Sequence, residues 1–205
     1  MVTLAWALGG YLCGSIPFAI LVSRAMGLPD PRTYGSGNIG TTNVLRSGSR
    51  MAALLTLVGD AGKGWVAVLA ASLAQVDAVT VSIVAFCAVL GHVFPVWLNW
   101  RGGKGVATAA GVLLALDWRV GLGVLAAWLV VVAATRYSSL AALVAAVAAP
   151  FVTWYFLGEG PQLLAVLAMA ALLVLRHKAN IGKLLRGEES RIGEKKPAPA
   201  HQGKE

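Results

Sequence analysis

Acidic, thiol and imidazole side chains are all scarce in this sequence. Nine Asp and Glu stand against 17 Lys and Arg in 205 residues, only 13% of the chain is charged, and there are two cysteines and three histidines. So few charges, with 58% hydrophobic residues and a mean hydropathy of +0.73, exclude a soluble domain of this size. Cys13 and Cys87 each lie inside an apolar run with no ligand-spaced His, Cys or acid beside them, so they read as small core residues and imply no metal. Asp60 is the only acid embedded in a motif and has Lys63 three residues on, so magnesium is unsupported and no cofactor is implied. No exposed aromatics interleave with a basic stripe, which argues against nucleic acid. The formal net charge of +8 points instead to anionic headgroups, a positive-inside bias or an anionic substrate.

What the chain does have is long apolar runs. A span needs about twenty mostly apolar residues. The runs that qualify or nearly so are Thr3 to Val22, Met51 to Ala74, Val79 to Leu98, Val106 to Leu116, Val120 to Thr135, Leu140 to Leu157 and Pro161 to Leu175. The fold expected is all-α, a polytopic transmembrane bundle of about seven helices. The N-terminus lacks the basic region of a cleaved signal and reads as the first span. The run ending at Leu116 is short, so it is expected to be re-entrant or to pair with the next run as a broken hairpin. Lys and Arg collect in three places: Arg24, Arg32, Arg46 and Arg50 in the first connection, Arg101 and Lys104 before the fourth run, and Arg176 onward. They are absent from the Gln75 to Ala78 and Gly158 to Gly160 turns. This pattern places the N-terminus outside and the C-terminus inside, with Arg119 as the exception. Residues 1–192 read as one domain. The polar tail from Gly187 is expected to fray after its first residues, with 193–205 disordered.

Four segments carry chemistry. In GSGNIGTTNVLR, Gly35, Gly37 and Gly40 satisfy G-x-G-x-x-G, but a membrane helix precedes them, so the dinucleotide-binding reading fails. The remaining physics is anion binding: glycines let amides converge, Ser36, Thr41 and Thr42 add hydroxyls, and a helix starting near Thr42 aims its N-terminus at an anion, with Arg46 a turn further on. Asn38 and Asn43 add polar groups that a bare surface turn would not need.

In GDAGKG, Asp60 and Lys63 share one helical face inside a span. Both a functional pair and a mutually neutralising structural pair remain open. It is not a Walker A loop, because Gly64 stands where Ser or Thr would hold magnesium. In GHVFPVWLNWRGGKGVAT, Gly102, Gly103 and Gly105 bracket Lys104 as a candidate phosphate site, Trp97, Trp100 and Arg101 read as interfacial anchors, and His92 reads as a supporting residue. In LRHKANIGKLLRGEE, a helix leaving the membrane presents His177 and Asn180 on one face, with Ile181 and Leu185 nearby for burial.

Several phosphate-directed elements on one side of a greasy bundle suit a phosphorylated headgroup with an acyl chain. A transporter of organic phosphates is the competing reading. In order and spacing, GSIPFAILVSR, YGSGNIGTTNVLR, GDAGKG, GHVFPVWLNWRGGKGVAT and RHKANIGKLLRGEES resemble the PlsY family of bacterial acyl-phosphate:glycerol-3-phosphate acyltransferases, up to about Ile192. Thr41 stands where Ala is common in that pattern. The resemblance implies transfer of a fatty acyl group from acyl phosphate to the 1-hydroxyl of sn-glycerol 3-phosphate, giving lysophosphatidic acid and phosphate. It also implies a place in the bacterial cytoplasmic (inner) membrane, a site facing the cytoplasm, and a functional link to an enzyme that makes acyl phosphate.

The alcohol-activating dyad of many other glycerolipid acyltransferases, His and Asp four residues apart, is absent: Trp97 follows His92 at that offset and Gly182 follows His177. The expected chemistry is direct attack on the donor's carbonyl. Lys104, Arg46 and the Gly35 to Gly40 loop hold the phosphates, and Ser36, Asn38, Asn43, His177 and Asn180 orient the reacting groups. The base is either His177 or an oxygen of the donor's phosphate.

Overall fold

The computed structural model describes residues 1–194. Among them there is no strand; ten α-helices follow one another. They are α1 (Val2–Gly14), α2 (Phe18–Ala25), α3 (Thr41–Val44), α4 (Arg50–Leu73), α5 (Ala78–Val93), α6 (Val106–Leu116), α7 (Trp118–Thr135), α8 (Ser138–Leu157), α9 (Pro161–Arg176) and α10 (Lys178–Leu185). All seven apolar runs fold into helices, the first interrupted at residues 15–17 and the third ending its α-helix at Val93. Counting Val2–Ala25 as one, five spans are long and apolar enough to cross a membrane alone. Leucines and aromatics such as Leu4, Leu54, Leu73, Leu122, Phe151 and Leu164 cover the outer faces of these helices, the distribution a hydrocarbon solvent calls for. The expected disorder of 193–205 falls almost wholly outside the described residues.

The first span is broken, not continuous. Pro17 has no N–H to continue the ladder, so the chain leaves helical geometry between α1 and α2, and the Ile16 carbonyl turns out of the ladder to accept the Phe18 amide at 3.1 Å. Lys63 of α4 donates to the same carbonyl at 2.7 Å, and to Asp60 Oδ1 at 2.7 Å as well. A buried ammonium thus satisfies a carbonyl that lipid could not.

Helix pairs approach through small residues. A Cβ on Gly14 would collide with the carbonyl of Ala88, and one on Gly91 with that of Tyr11, so α1 and α5 lie backbone to backbone. Gly111 of α6 sits against the carbonyl of Ala61 on α4 in the same way.

Helix α6 is short, and its geometry decides where the site lies. A single residue, Asp117, joins it to α7, capping α7 by accepting from the Arg119 amide at 2.8 Å, and Gly121 packs on Leu114 to close the hairpin. Eleven residues against eighteen leave the start of α6 about 10 Å short of the far end of α7. The loop carrying Lys104 therefore dips into the bundle. At the same end of the bundle the chain turns by 57° between α9 and α10, at His177.

Candidate active site

One cavity of about 350 Å³ opens where the loop before α3, the start of α6, the start of α8 and the α9–α10 junction meet. Its mouth is polar and its depth apolar. Gly35, Ser36, Asn38, Gly40, Thr41, Thr42, Asn43 and Arg46 line one side of the mouth; Lys104, His177 and Asn180 line the other, and Asp60 and His92 lie behind.

The α3 loop is held by Asn43, which is buried. Its Nδ2 donates to the carbonyls of Pro31 (2.7 Å) and Tyr34 (3.2 Å), and its Oδ1 accepts from the Ser36 amide at 2.8 Å. Gly35 is at φ +60°, and a Cβ there would strike Asn43 Oδ1, so both backbone and space require glycine. The Ser36 and Gly37 amides are engaged, the latter with Tyr34 O at 2.9 Å. The amides from Asn38 to Thr42 have no protein acceptor among the described residues and remain available to an anion. Thr42 Oγ1 meets Ser138 Oγ at 3.1 Å, whereas Thr41 Oγ1 is buried on the cavity wall without a partner.

Two expectations are corrected here. Gly102 and Gly103 do not face the cavity; their amides donate to Val93 O (3.1 Å) and His92 O (3.2 Å), folding the loop back on the end of α5. Side chains there would strike the His92 carbonyl and the His92 ring, so these glycines fit the loop against α5 and leave Lys104 and Gly105 to face the cavity. Gly37 lies outside the cavity lining, as does Lys63. Lys63 ties α4 to the α1–α2 break while pairing with Asp60, whose carboxylate faces the back of the cavity with His92 Nδ1 3.5 Å from the same oxygen.

Lys104 Nζ donates to Asn180 Oδ1 at 2.7 Å, and Asn180 Nδ2 donates to Glu189 Oε1 at 2.7 Å. Ser139 Oγ donates to that same oxygen at 2.6 Å. Burial pulls the Lys104 ammonium down to about 8, against the pull of Glu189, with Arg46, Lys183 and Arg176 adding to the fall. His177, just past the end of α9, is 2% exposed, and its Nδ1 lies 2.7 Å from Leu173 O. A carbonyl partner requires the proton on Nδ1, which leaves Nε2 as a bare acceptor. Burial lowers this imidazole to about 4, with the Leu173 hydrogen bond opposing and Lys104 assisting, so it is neutral at physiological pH.

Sequence reasoning passed over the segment after α10. Residues 187–192 do not fray; they cross the mouth as a strap. Arg46 Nη2 donates to Ser190 Oγ at 2.6 Å, and the Ile192 amide and carbonyl pair with Arg136 O (2.8 Å) and Arg136 Nη2 (2.6 Å). The Glu-Glu-Ser run after the last basic helix was the available signal. Leu185, expected to be buried, is 84% exposed, because α10 begins after His177 and its faces are turned accordingly. Glu189→Ala removes the acceptor shared by Asn180 and Ser139. It is expected to lower activity about tenfold or more and to cost about 1–3 kcal/mol, with partial recovery in Glu189→Gln, measured by turnover and thermal unfolding in detergent.

The family model described as "Glycerol-3-phosphate acyltransferase" matches residues 4–187. The chain belongs to the glycerol-3-phosphate acyltransferase family. Proteins of that name from Ralstonia nicotianae and Ralstonia pickettii are 56% identical over 198 residues (95% of this chain, 96% of theirs) and 57% identical over 202 residues (96% and 97%). The crystal structure of PlsY, described as an integral membrane glycerol 3-phosphate acyltransferase, superposes in its glycerol 3-phosphate form with a TM-score of 0.89. It is 34% identical, with 94% of this chain and 96% of that one covered. Its lysophosphatidic acid form gives a TM-score of 0.88 at the same identity and coverage. This glycerol-3-phosphate acyltransferase family member is thus an integral membrane acyltransferase.

Proposed function

We propose that the protein transfers a fatty acyl group from acyl phosphate to the 1-hydroxyl of sn-glycerol 3-phosphate, in the cytoplasmic membrane and from a site facing the cytoplasm. The observation that carries this is one continuous cavity with Arg46, Lys104 and free amides at its mouth and apolar walls below. Such a cavity suits two phosphate groups above one chain. Its deep end is closed by Leu113, Val124, Ala149 and Val166, all buried, which weighs against a transport path. Residues 1–192 act as one domain in this reading, and a reaction that phosphorylates a fatty acyl carboxyl must supply the donor.

The chemistry needs no acyl-enzyme. The glycerol hydroxyl oxygen forms a bond to the acyl carbonyl carbon, the carbon–oxygen bond to phosphorus breaks, and the hydroxyl proton leaves with inorganic phosphate. Acyl phosphate is already activated, so positioning and charge stabilisation supply the rate. Lys104 and Arg46 hold the phosphates with the Asn38 to Thr42 amides, while Ser36, His177 and Asn180 orient the hydroxyl and carbonyl. A phosphate oxygen, with a second pKa of about 6, accepts the proton.

Purified protein with palmitoyl phosphate and glycerol 3-phosphate is expected to release phosphate and form lysophosphatidic acid; absence of product sinks the reading. His177→Gln is expected to keep an acid limb of kcat near the phosphate value of about 6. A histidine base would place that limb nearer 4 and lose it in the Gln variant. With Cys13 and Cys87 replaced, a cysteine at Lys178 is expected to react with an impermeant thiol reagent only in inverted vesicles, and one at Glu159 only in right-side-out vesicles.

A further inference from the structure

The closed end of the cavity has a defined depth. On α8, Ser139 lies at the mouth, and Ala142, Ala145, Ala146 and Ala149 follow it on one face at helical spacing, all lining the cavity. On α9, Val166, Met169 and Leu173 descend in the opposite chain direction from His177. Three turns separate Ser139 from Ala149, and three separate His177 from Val166, so both walls end about 15 Å below the mouth. Helix α7 contributes Val124 and α6 contributes Leu113 at the same closed end. One turn further on, Thr153 of α8 and Val120 of α7 are fully buried and lie outside the lining, so packed side chains seal the end.

The alanines make the space. Because α8 presents nothing beyond Cβ over this length, the room between it and the bulkier α7 and α9 walls stays empty. Ala149 on α8 and Val166 on α9 are the last residues of the lining on their helices, and the room ends with them.

We infer that Ala149 and Val166 set the length of the acyl chain that the enzyme accepts, by closing the apolar end of the cavity. The inference rests on the acyl-phosphate reading above, because the chain whose length is measured is the donor's. A chain that reaches the end without filling it forfeits contact, and one that is too long must displace packed side chains. Added bulk at Ala149 therefore shortens the chain that fits best, and lost bulk at Val166 lengthens it. Neither residue touches the reacting groups, so both act on the preference among donors.

The test measures kcat/KM of purified enzyme with glycerol 3-phosphate and either dodecanoyl or palmitoyl phosphate. Ala149→Phe is expected to raise the dodecanoyl-to-palmitoyl ratio about tenfold or more, within the range for methylene-scale discrimination in an apolar pocket. Val166→Ala is expected to lower it several-fold. If Ala149→Phe fails to fold, the direction of the Val166→Ala shift decides alone. A ratio that stays at the wild-type value in the folded variants overturns the inference while leaving the donor reading intact. A wild-type enzyme that uses neither donor overturns the donor reading, and the inference with it.

Discussion

Lys104→Met is expected to lower kcat/KM by about 10²- to 10³-fold, the scale for removing one preorganised charge-stabilising donor from a water-poor site. Methionine keeps the length and apolar stem of lysine but removes the ammonium that Asn180 and Glu189 hold in place. Solution cations do not replace it, because the start of α6 is recessed within the bundle. The pH dependence follows from burial. In the free protein Lys104 titrates at about 8, so its charge is complete well below that value and is lost as pH rises through it. The KM for glycerol 3-phosphate is therefore flat between the substrate phosphate's own second pKa of about 6 and the Lys104 value, and climbs on the alkaline side. Bound phosphate favours the ammonium, which moves the alkaline limb of kcat to higher pH than that of kcat/KM. Lys104→Arg, which cannot deprotonate, is expected to abolish the alkaline rise in KM whatever its turnover. A Lys104→Met enzyme within tenfold of wild type would remove Lys104 from the mechanism.

Lys63→Met is expected to destabilise the protein by about 3–5 kcal/mol, because it leaves the buried Asp60 carboxylate with only the His92 ring beside it, at 3.5 Å, and takes the stronger of two donors from the Ile16 carbonyl. Combining it with Asp60→Leu removes the stranded charge and is expected to recover most of the loss. The measurement is thermal unfolding in detergent of both single variants and the double. A strongly non-additive cycle is the signature of a pin, whereas additive losses would mean that the two residues act separately.

Much of the bundle was legible because lipid imposes one rule on every span. Seven runs of apolar residues could only be helices, and the short run ending at Leu116 announced a half-helix by its length. The break at Pro17 was less visible, because apolar residues on both sides hid the loss of one hydrogen bond. At the site, Gly35, Asn43, Arg46, Lys104 and His177 stood out as polar or glycine positions that a greasy chain would otherwise avoid. Gly102 and Gly103 looked like ligand-facing residues because composition does not reveal which way an amide points; their donors were already taken by α5. Glu189 and Ser139 were passed over for another reason: they lie fifty residues apart, and only the strap's return over the mouth brings them together.

The shortness of α6 has a consequence for traffic. In the proposed reaction, because that helix starts low, the hydrophilic alcohol comes down to the oil and the fatty anhydride never rises to the water. A compound that bulk solvent would hydrolyse can thus be spent without leaving the leaflet in which it is dissolved. In this reading the enzyme's selectivity for glycerol over water begins with which partner is made to travel.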